Sequence, residues 1–328
     1  MSHVPTVSVV IPVHGVERFI GAALSSVLGQ DFHDFEIVVV DDGSPDSSMD
    51  IVNSFVDSRI RVVSQPNAGL AAARNTGILA SRGEFVALLD GDDTMLPEKL
   101  GRHVRHLWTR PELGVSYAGA HLIDEAGRRI GIDQIPVIGG ITPADVFCGK
   151  VILNGSIPVF RRQALDDASL PAPGDPARRW YFDETLRRSE DVECWARVAL
   201  TTGWTIGGLP GCLTEYRVNA SGLSADVPRQ LASWDAACAA IAVYAPEFIA
   251  RNRGRARALE LRYLARRSFQ MRDPAGFGLA LAAVRLHPAM LLREPVKTAT
   301  TLLACTALRA IPRAALDRLV RAVKPGLS

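Results

Sequence analysis

Two short apolar runs, residues 37–40 and 85–89, each break directly into acid. Asp41-Asp42-Gly43-Ser44 follows the first and Asp90-Gly91-Asp92-Asp93 the second. Runs of this length bounded by turn residues read as buried strands. A parallel sheet delivers its functional side chains at the carboxyl ends of such strands, where the chain leaves the core. Aspartates gathered there repel one another and are costly to desolvate without a cation. Hard oxygen ligands suit Mg²⁺ or Mn²⁺, which in turn holds phosphate oxygens. Ordinary Asp-rich turns account for either cluster alone, but not for its repetition at matching strand ends.

The first 110 residues alternate strand and helix patterns, as expected of a parallel sheet covered by helices. Strands are expected at 7–13, 35–40, 60–63 and 85–89, and helices at 17–28, 47–55, 69–80 and 97–107, the last with Pro97 in its first turn. Ser44 or Asp46 is placed to cap the second helix. A strand at 115–123 and a turn at 124–127 follow. Residues 132–149 show no clear period, and 166–179, with three prolines and a glycine, read as a mobile loop. A helix at 189–202 and strands at 204–209 and 212–218 complete this part. From about residue 228 the pattern is helical, which puts a boundary near 225: a catalytic domain 1–225, in halves 1–110 and 111–225, and a helical region 226–328.

Composition narrows the classes. Net charge is only +2, from 37 basic and 35 acidic residues, so no global nucleic-acid footprint is present. Five scattered cysteines form no CxxC pair, which argues against a disulfide framework or zinc site and for a reducing compartment. The first six residues run straight into a strand, and no run of about 18 apolar residues occurs, so neither a leader nor a spanning helix is expected. The expected location is the cytoplasm. The charge is uneven, however. Residues 285–328 carry eight basic side chains against Glu294 and Asp317. Their helices either pack as an appendage, on the rest of the chain or on another subunit, or rest as a basic amphipathic surface on the inner face of the plasma membrane.

Chemistry gathers at four further places. Gly69, with the small residues Ala71–Ala73, permits close approach of a ligand at a helix start, and Arg74 lies one turn on, facing phosphate in the functional reading and solvent or an ion pair in the bland one. Asp90, Asp92 and Asp93 suit a metal that takes one or two carboxylates and completes its shell with phosphate and water. Ser189-Glu190-Asp191 opens a helix, where capping alone also favours acid. Tyr216-Arg217-Val218-Asn219 sits at a strand exit.

Taken in order, Val7-Ser8-Val9-Val10-Ile11-Pro12-Val13-His14, Asp41-Asp42-Gly43-Ser44, Asn67-Ala68-Gly69-Leu70-Ala71-Ala72-Ala73-Arg74-Asn75, Asp90-Gly91-Asp92-Asp93 and Glu190-Asp191 resemble the family 2 glycosyltransferases over residues 5–220. The resemblance implies the α/β GT-A fold, a mostly parallel, Rossmann-like central sheet flanked by helices, here with a C-terminal helical appendage. It implies an inverting transferase using a nucleotide-diphosphate sugar, with UDP the expected nucleotide, and a divalent metal. By position, Pro12, Val13 and Glu17 border the nucleobase and Asp42 recognises it. His14, Asp41, Ser44, Asn67, Gly69, Arg74 and Gly91 complete the donor site. Asp90 and Asp92 contact ribose and metal, with Asp93 the alternative ligand. Asp191 is the general base and Glu190 its runner-up, and Arg217 faces the diphosphate. Many relatives have histidine where this chain has Asn219, a weaker metal ligand. Asn154, Trp180 and Trp195 are expected on the acceptor side, with core packing the competing role for Trp195. The acceptor is a glycan or lipid-linked glycan, as in cell-surface polysaccharide synthesis, and a homo-oligomer is compatible. A nucleotidyltransferase is the competing enzyme, but Val13-His14-Gly15-Val16 lacks its basic glycine-rich loop. An inactive binding module is opposed by Asp92, Asp191 and Arg217 together.

Overall fold

The computed structural model describes residues 3–149, 151–152, 154–218 and 227–310. They form two compact units, one of residues 3–218 with 233–244, the other of residues 227–232 with 245–310.

The first unit begins as β1 (Val7–Val13), α1 (Ile20–Leu28), β2 (Phe35–Asp41), α2 (Ser48–Ser54), β3 (Ile60–Ser64), α3 (Leu70–Ala80) and β4 (Phe85–Leu88). It continues as β5 (Thr94–Met95), α4 (Lys99–Thr109), β6 (Leu113–Ile123), β7 (Arg129–Gln134), α5 (Pro143–Phe147), β8 (Val159–Arg161) and α6 (Arg162–Ala168). The hairpin β9 (Leu170–Ala172) and β10 (Asp175–Trp180) precedes α7 (Glu190–Thr201), β11 (Thr205–Arg217) and α8 (Val227–Tyr244), whose second part belongs to this unit.

The main sheet runs β3-β2-β1-β4-β8-β6-β11-β5, with β7 added on β6. Strands β1 to β4 are mutually parallel, whereas β8 pairs antiparallel with both β4 and β6, so the sheet becomes mixed past its centre. Side chains alternate across it. Val10, Val38, Val40, Val86 and Leu88 enter one core with Ala73 and Ile78 of α3. Val9, Ile11, Val13, Ile37 and Val39 enter the other with Ile20, Leu24 and Val27 of α1 and Leu100, Val104 and Leu107 of α4. Burial on both faces explains why these strands read as continuous apolar runs. Pro12 is tolerated in the central strand because the β1–β4 ladder ends at Val10↔Leu88.

Three segments differ from the sequence expectation. Residues 166–179, expected as a mobile loop, form the end of α6 and the β9–β10 hairpin, whose turn uses Gly174 at φ +78°. The aperiodic 132–149 stretch holds the end of β7 and the short α5, which Thr142 and Asp145 close with a reciprocal capping box. The two strands expected at 204–209 and 212–218 are one strand, β11, with its register shifted between Gly208 and Cys212. The expected boundary near 225 also differs in detail. Trp234 packs on Phe147 at 6.0 Å, and the Tyr244 hydroxyl donates to Glu193 at 3.1 Å, which ties 233–244 to the first unit.

The second unit consists of α9 (Pro246–Gln270), α10 (Gly276–Leu286), α11 (Met290–Arg293) and α12 (Pro295–Ala310). Small residues dominate its core: Ala258 and Ala283 pack with Leu261 and Met290, and Ala265, Ala280 and Cys305 form a neighbouring cluster. Among the described residues, no helix is long and apolar enough to cross a membrane.

Candidate functional site

The carboxyl ends of β1, β2 and β4 converge because the strands are parallel neighbours. The Asp42 amide donates to the Val13 carbonyl, and a Cβ on Gly91 would lie 3.1 Å from the Pro12 carbonyl oxygen. Here the acid clusters acquire separate surroundings. Asp42 is buried, and its carboxylate accepts from Gln65 Nε2 and from the Ala68 and Gly69 amides at 2.7–2.9 Å. It therefore fixes the 67–69 loop. Gly69, at φ +94°, caps α3 there, where Arg187 donates to the Ala68 carbonyl. His14 lies within hydrogen-bond distance of the Asp42 carbonyl and the Asn67 side chain, and Asp41 accepts from the Ser44 amide.

Glu17 accepts from the Ser47 amide, and the Gly15 amide donates to Ser44 Oγ. Asp46 holds this wall together. Burial opposes its charge, but the Ser48 hydroxyl, the Glu17 amide and the Ser44 hydroxyl outweigh it and hold the carboxyl well below its ordinary pKa. The Val13 side chain, expected at the nucleobase, lies wholly inside the core.

The second cluster divides more sharply. Asp93 was an alternative metal ligand, but it is completely buried. One oxygen accepts from the Ser156 hydroxyl at 2.6 Å and the other from the Arg217 amide at 2.8 Å. It anchors the turn rather than a ligand. Beneath it Lys99, also fully buried, donates to the Ser156 carbonyl and to Thr214 Oγ1, and burial pushes its pKa down to about 7. Asp92 is half-buried, and burial, then the Asp90 charge, push its pKa up to about 6. A carboxylate so placed gains from a divalent cation, whose charge relieves both causes. Asp92 and the adjacent Asp90 thus fit a hard metal, and Asp93 does not. Asn219, the remaining expected ligand, lies outside the described residues.

Arg74 takes the ion-pair reading of the two the sequence offers: its side chain is 2% exposed and bridges Asp90 and Glu190, each at 2.7 Å. Burial opposes its charge, yet Asp90 and Glu190 hold it protonated above the ordinary range. Gly155 permits this, because a side chain there would run into Arg74 Nη2. The bridge joins the β4 turn to the N-terminus of α7, Asp90 and Glu190 being a hundred residues apart in the chain. Burial, then Asp191, push Glu190 up to about 7. Asp191 is half-buried, accepts from the Val192 amide at 2.8 Å, and has its pKa raised by burial. Glu190 is engaged by Arg74, and Asp191 is the more exposed of the two carboxylates.

Arg217, expected at the diphosphate, is engaged by the protein itself. Its side chain donates to the backbone carbonyls of Asp92, Asp124 and Glu125 and stacks over Phe19 at 4.6 Å. Asn154 is buried, donating to Gln134 and accepting from the Ser156 amide, so it shapes the 154–156 turn. Trp195 is core, stacked on Phe160 at 5.0 Å and edge-on to Phe182. Trp180 is buried at the end of β10, and its indole N–H has no hydrogen-bond partner among the described residues. Lys99 and Arg187 carry no site signal in the sequence, since their partners are 57 to 119 residues away.

Strand-end carboxylates on a parallel half-sheet, facing an acidic helix start, define a GT-A nucleotide-sugar fold. The chain belongs to the family 2 glycosyltransferases. Residues 8–168 match the family model for glycosyl transferase family 2. TuaG of Bacillus subtilis (strain 168), a glycosyltransferase named for teichuronic acid biosynthesis, is 28% identical over 68% of this chain and 82% of its own. EpsJ of the same organism, an uncharacterized glycosyltransferase, is 47% identical over 27% of each chain. Across EpsJ and two further curated glycosyltransferases, the chain spans only 27–41% of their lengths. Among solved structures, S. aureus TarS 1–349 in complex with UDP-GlcNAc is similar at TM-score 0.59 and 18% identity, over 93% of this chain and 91% of its own. The mannosyltransferase PcManGT from Pyrobaculum calidifontis, in complex with GDP-Man and Mn²⁺, matches at TM-score 0.52 and 19% identity, over 100% and 82%.

Proposed function

We propose that the protein transfers a sugar, with inversion, from a nucleoside-diphosphate sugar to a hydroxyl of a glycan or lipid-linked glycan. The observation that supports this reading is the Asp90–Arg74–Glu190 bridge, which ties the start of α7, where Asp191 follows Glu190, to the donor turn. A base displaced from the metal carboxylates suits single displacement, in which the acceptor hydroxyl loses its proton as it attacks the anomeric carbon. Asp191 takes that proton. Its raised pKa strengthens it as a base near neutrality. Glu190 and Arg74 position it, and the Asp42-braced loop forms the nucleotide wall with His14, Asp41 and Asn67.

Asp92 with Asp90 would hold a Mn²⁺ or Mg²⁺ ion, which supplies positive charge to the leaving diphosphate. Arg187, exposed beside Gly69, is placed to add a second positive charge. A UDP donor is the first choice, in keeping with the UDP-GlcNAc complex of the similar TarS fold. The experiment is a panel of UDP-, GDP- and dTDP-sugars incubated with Mn²⁺ or Mg²⁺, scored by released nucleotide and anomeric configuration. Release from one donor, dependent on metal, is expected. No release from any donor, or a retained anomeric configuration, would overturn the proposal.

A further inference from the structure

Helix α12 leaves two large aliphatic side chains outside while burying two threonines. The side chains it buries against its own unit are Thr298, Thr301, Cys305 and Leu308, all less than a tenth exposed. Two of these threonines are hydrogen-bonded by arginines of α9, Arg262 to Thr298 and Arg266 to Thr301. Two of its larger aliphatics point the other way, Val296 at 73% and Leu303 at 70% exposed, while Leu302 and Leu308 face the unit. A helix that settles into a water-soluble unit normally turns such side chains inward. In the preceding α11 Leu292 is 86% exposed, and Leu286 and Leu291 are nearly half-exposed. So many exposed aliphatics within 18 residues of chain mark a contact site.

Charge selects the occupant. Arg285, Arg293 and Lys297 are exposed along the same segment. The one acid between residues 285 and 310, Glu294, is engaged by Arg262. A symmetric contact with a second copy would set these cations against their own equivalents. A surface with apolar depth and an anionic rim takes the leucines and neutralises the cations together. We infer that the outer face of α11 and α12 is a docking surface for a bilayer containing anionic phospholipid. Docking there gives the protein access to a lipid-borne acceptor.

The test is sedimentation of the full chain with vesicles of phosphatidylcholine alone and with phosphatidylglycerol added. Anionic vesicles should bind the protein far more strongly, by about fivefold for each exposed basic residue that reaches the surface, and salt should weaken the binding. Leu292→Asn with Val296→Asn and Leu303→Asn should abolish it, while the melting temperature and nucleotide binding stay as in the parent. Arg293→Gln with Lys297→Gln should remove the preference for anionic lipid. Equal binding to both vesicles, or wild-type sedimentation of the asparagine variant, would overturn the inference. So would a dimer in analytical ultracentrifugation that these asparagines dissociate. Because vesicle binding is read without turnover, it fails or succeeds independently of the transfer reaction.

Discussion

Replacing Arg74 by methionine separates the bridge from the phosphate contact that its place in the sequence suggests. In the structure the guanidinium is 2% exposed, while the carboxylates it joins are unequal: Asp90 is 23% exposed and Glu190 only 6%. Without Arg74, Asp90 turns to water at small cost and Glu190 is left as a buried, uncompensated charge. Removing one partner of such a pair costs about 3–5 kcal/mol. In a unit of this size that lowers its melting transition by roughly 6–20 °C. The loss depends on pH. Glu190 already titrates near about 7, and without Arg74 it rises further. The folded state then binds a proton that the unfolded chain, with its ordinary glutamate pKa, releases. That stability is present in acid and is lost as pH rises through the folded pKa, so the deficit of Arg74→Met should widen from pH 6 toward pH 9. Glu190→Gln placed in the same chain should recover roughly 1–3 kcal/mol. The assay is calorimetric melting across this pH range, with nucleotide binding measured in parallel. A stability loss below about 1 kcal/mol, a deficit independent of pH, or lost nucleotide affinity with unchanged melting would refute the reasoning and make Arg74 a phosphate contact.

Asp191→Asn should lower turnover by about 10²–10⁴-fold while donor affinity by calorimetry stays near that of the parent; near-normal transfer would move the base elsewhere. Asp92→Asn should weaken Mn²⁺-dependent donor binding by no less than the roughly 10–100-fold typical of partners one shell further out, with metal-free binding unchanged. Because burial raises the pKa of Asp191 and holds Glu190 near about 7, the base stays protonated and idle over a wider acid range than an ordinary carboxylate. The pH profile of kcat/KM should therefore climb from acid toward neutral pH and then level, and a flat profile would refute the assignment.

The sequence by itself determined the alternating strands and helices of the first half, the position of the acid clusters at strand ends, and the family. These rest on local signals: β-branched runs buried on both faces, glycines at tight turns, and small residues where α3 meets the sheet. Val7–Val13 and Phe35–Asp41 are legible because every side chain along them obeys one rule. Residues 132–149 and 166–179 were less legible, since one turn of helix or a three-residue strand offers too few positions for a period to show. Only the tertiary structure decided which acid does what. Asp92 and Asp93 are neighbours in the chain with the same chemistry, yet one stays half-exposed and the other lies dry between Ser156 and Arg217. Arg74 and Arg217 look like anion-binding side chains until Glu190, and the carbonyls of residues 92, 124 and 125, arrive from distant segments to occupy them. Burial and partnership are properties of the packed chain, and they set both the charge of a carboxylate and the freedom of a cation to meet a ligand.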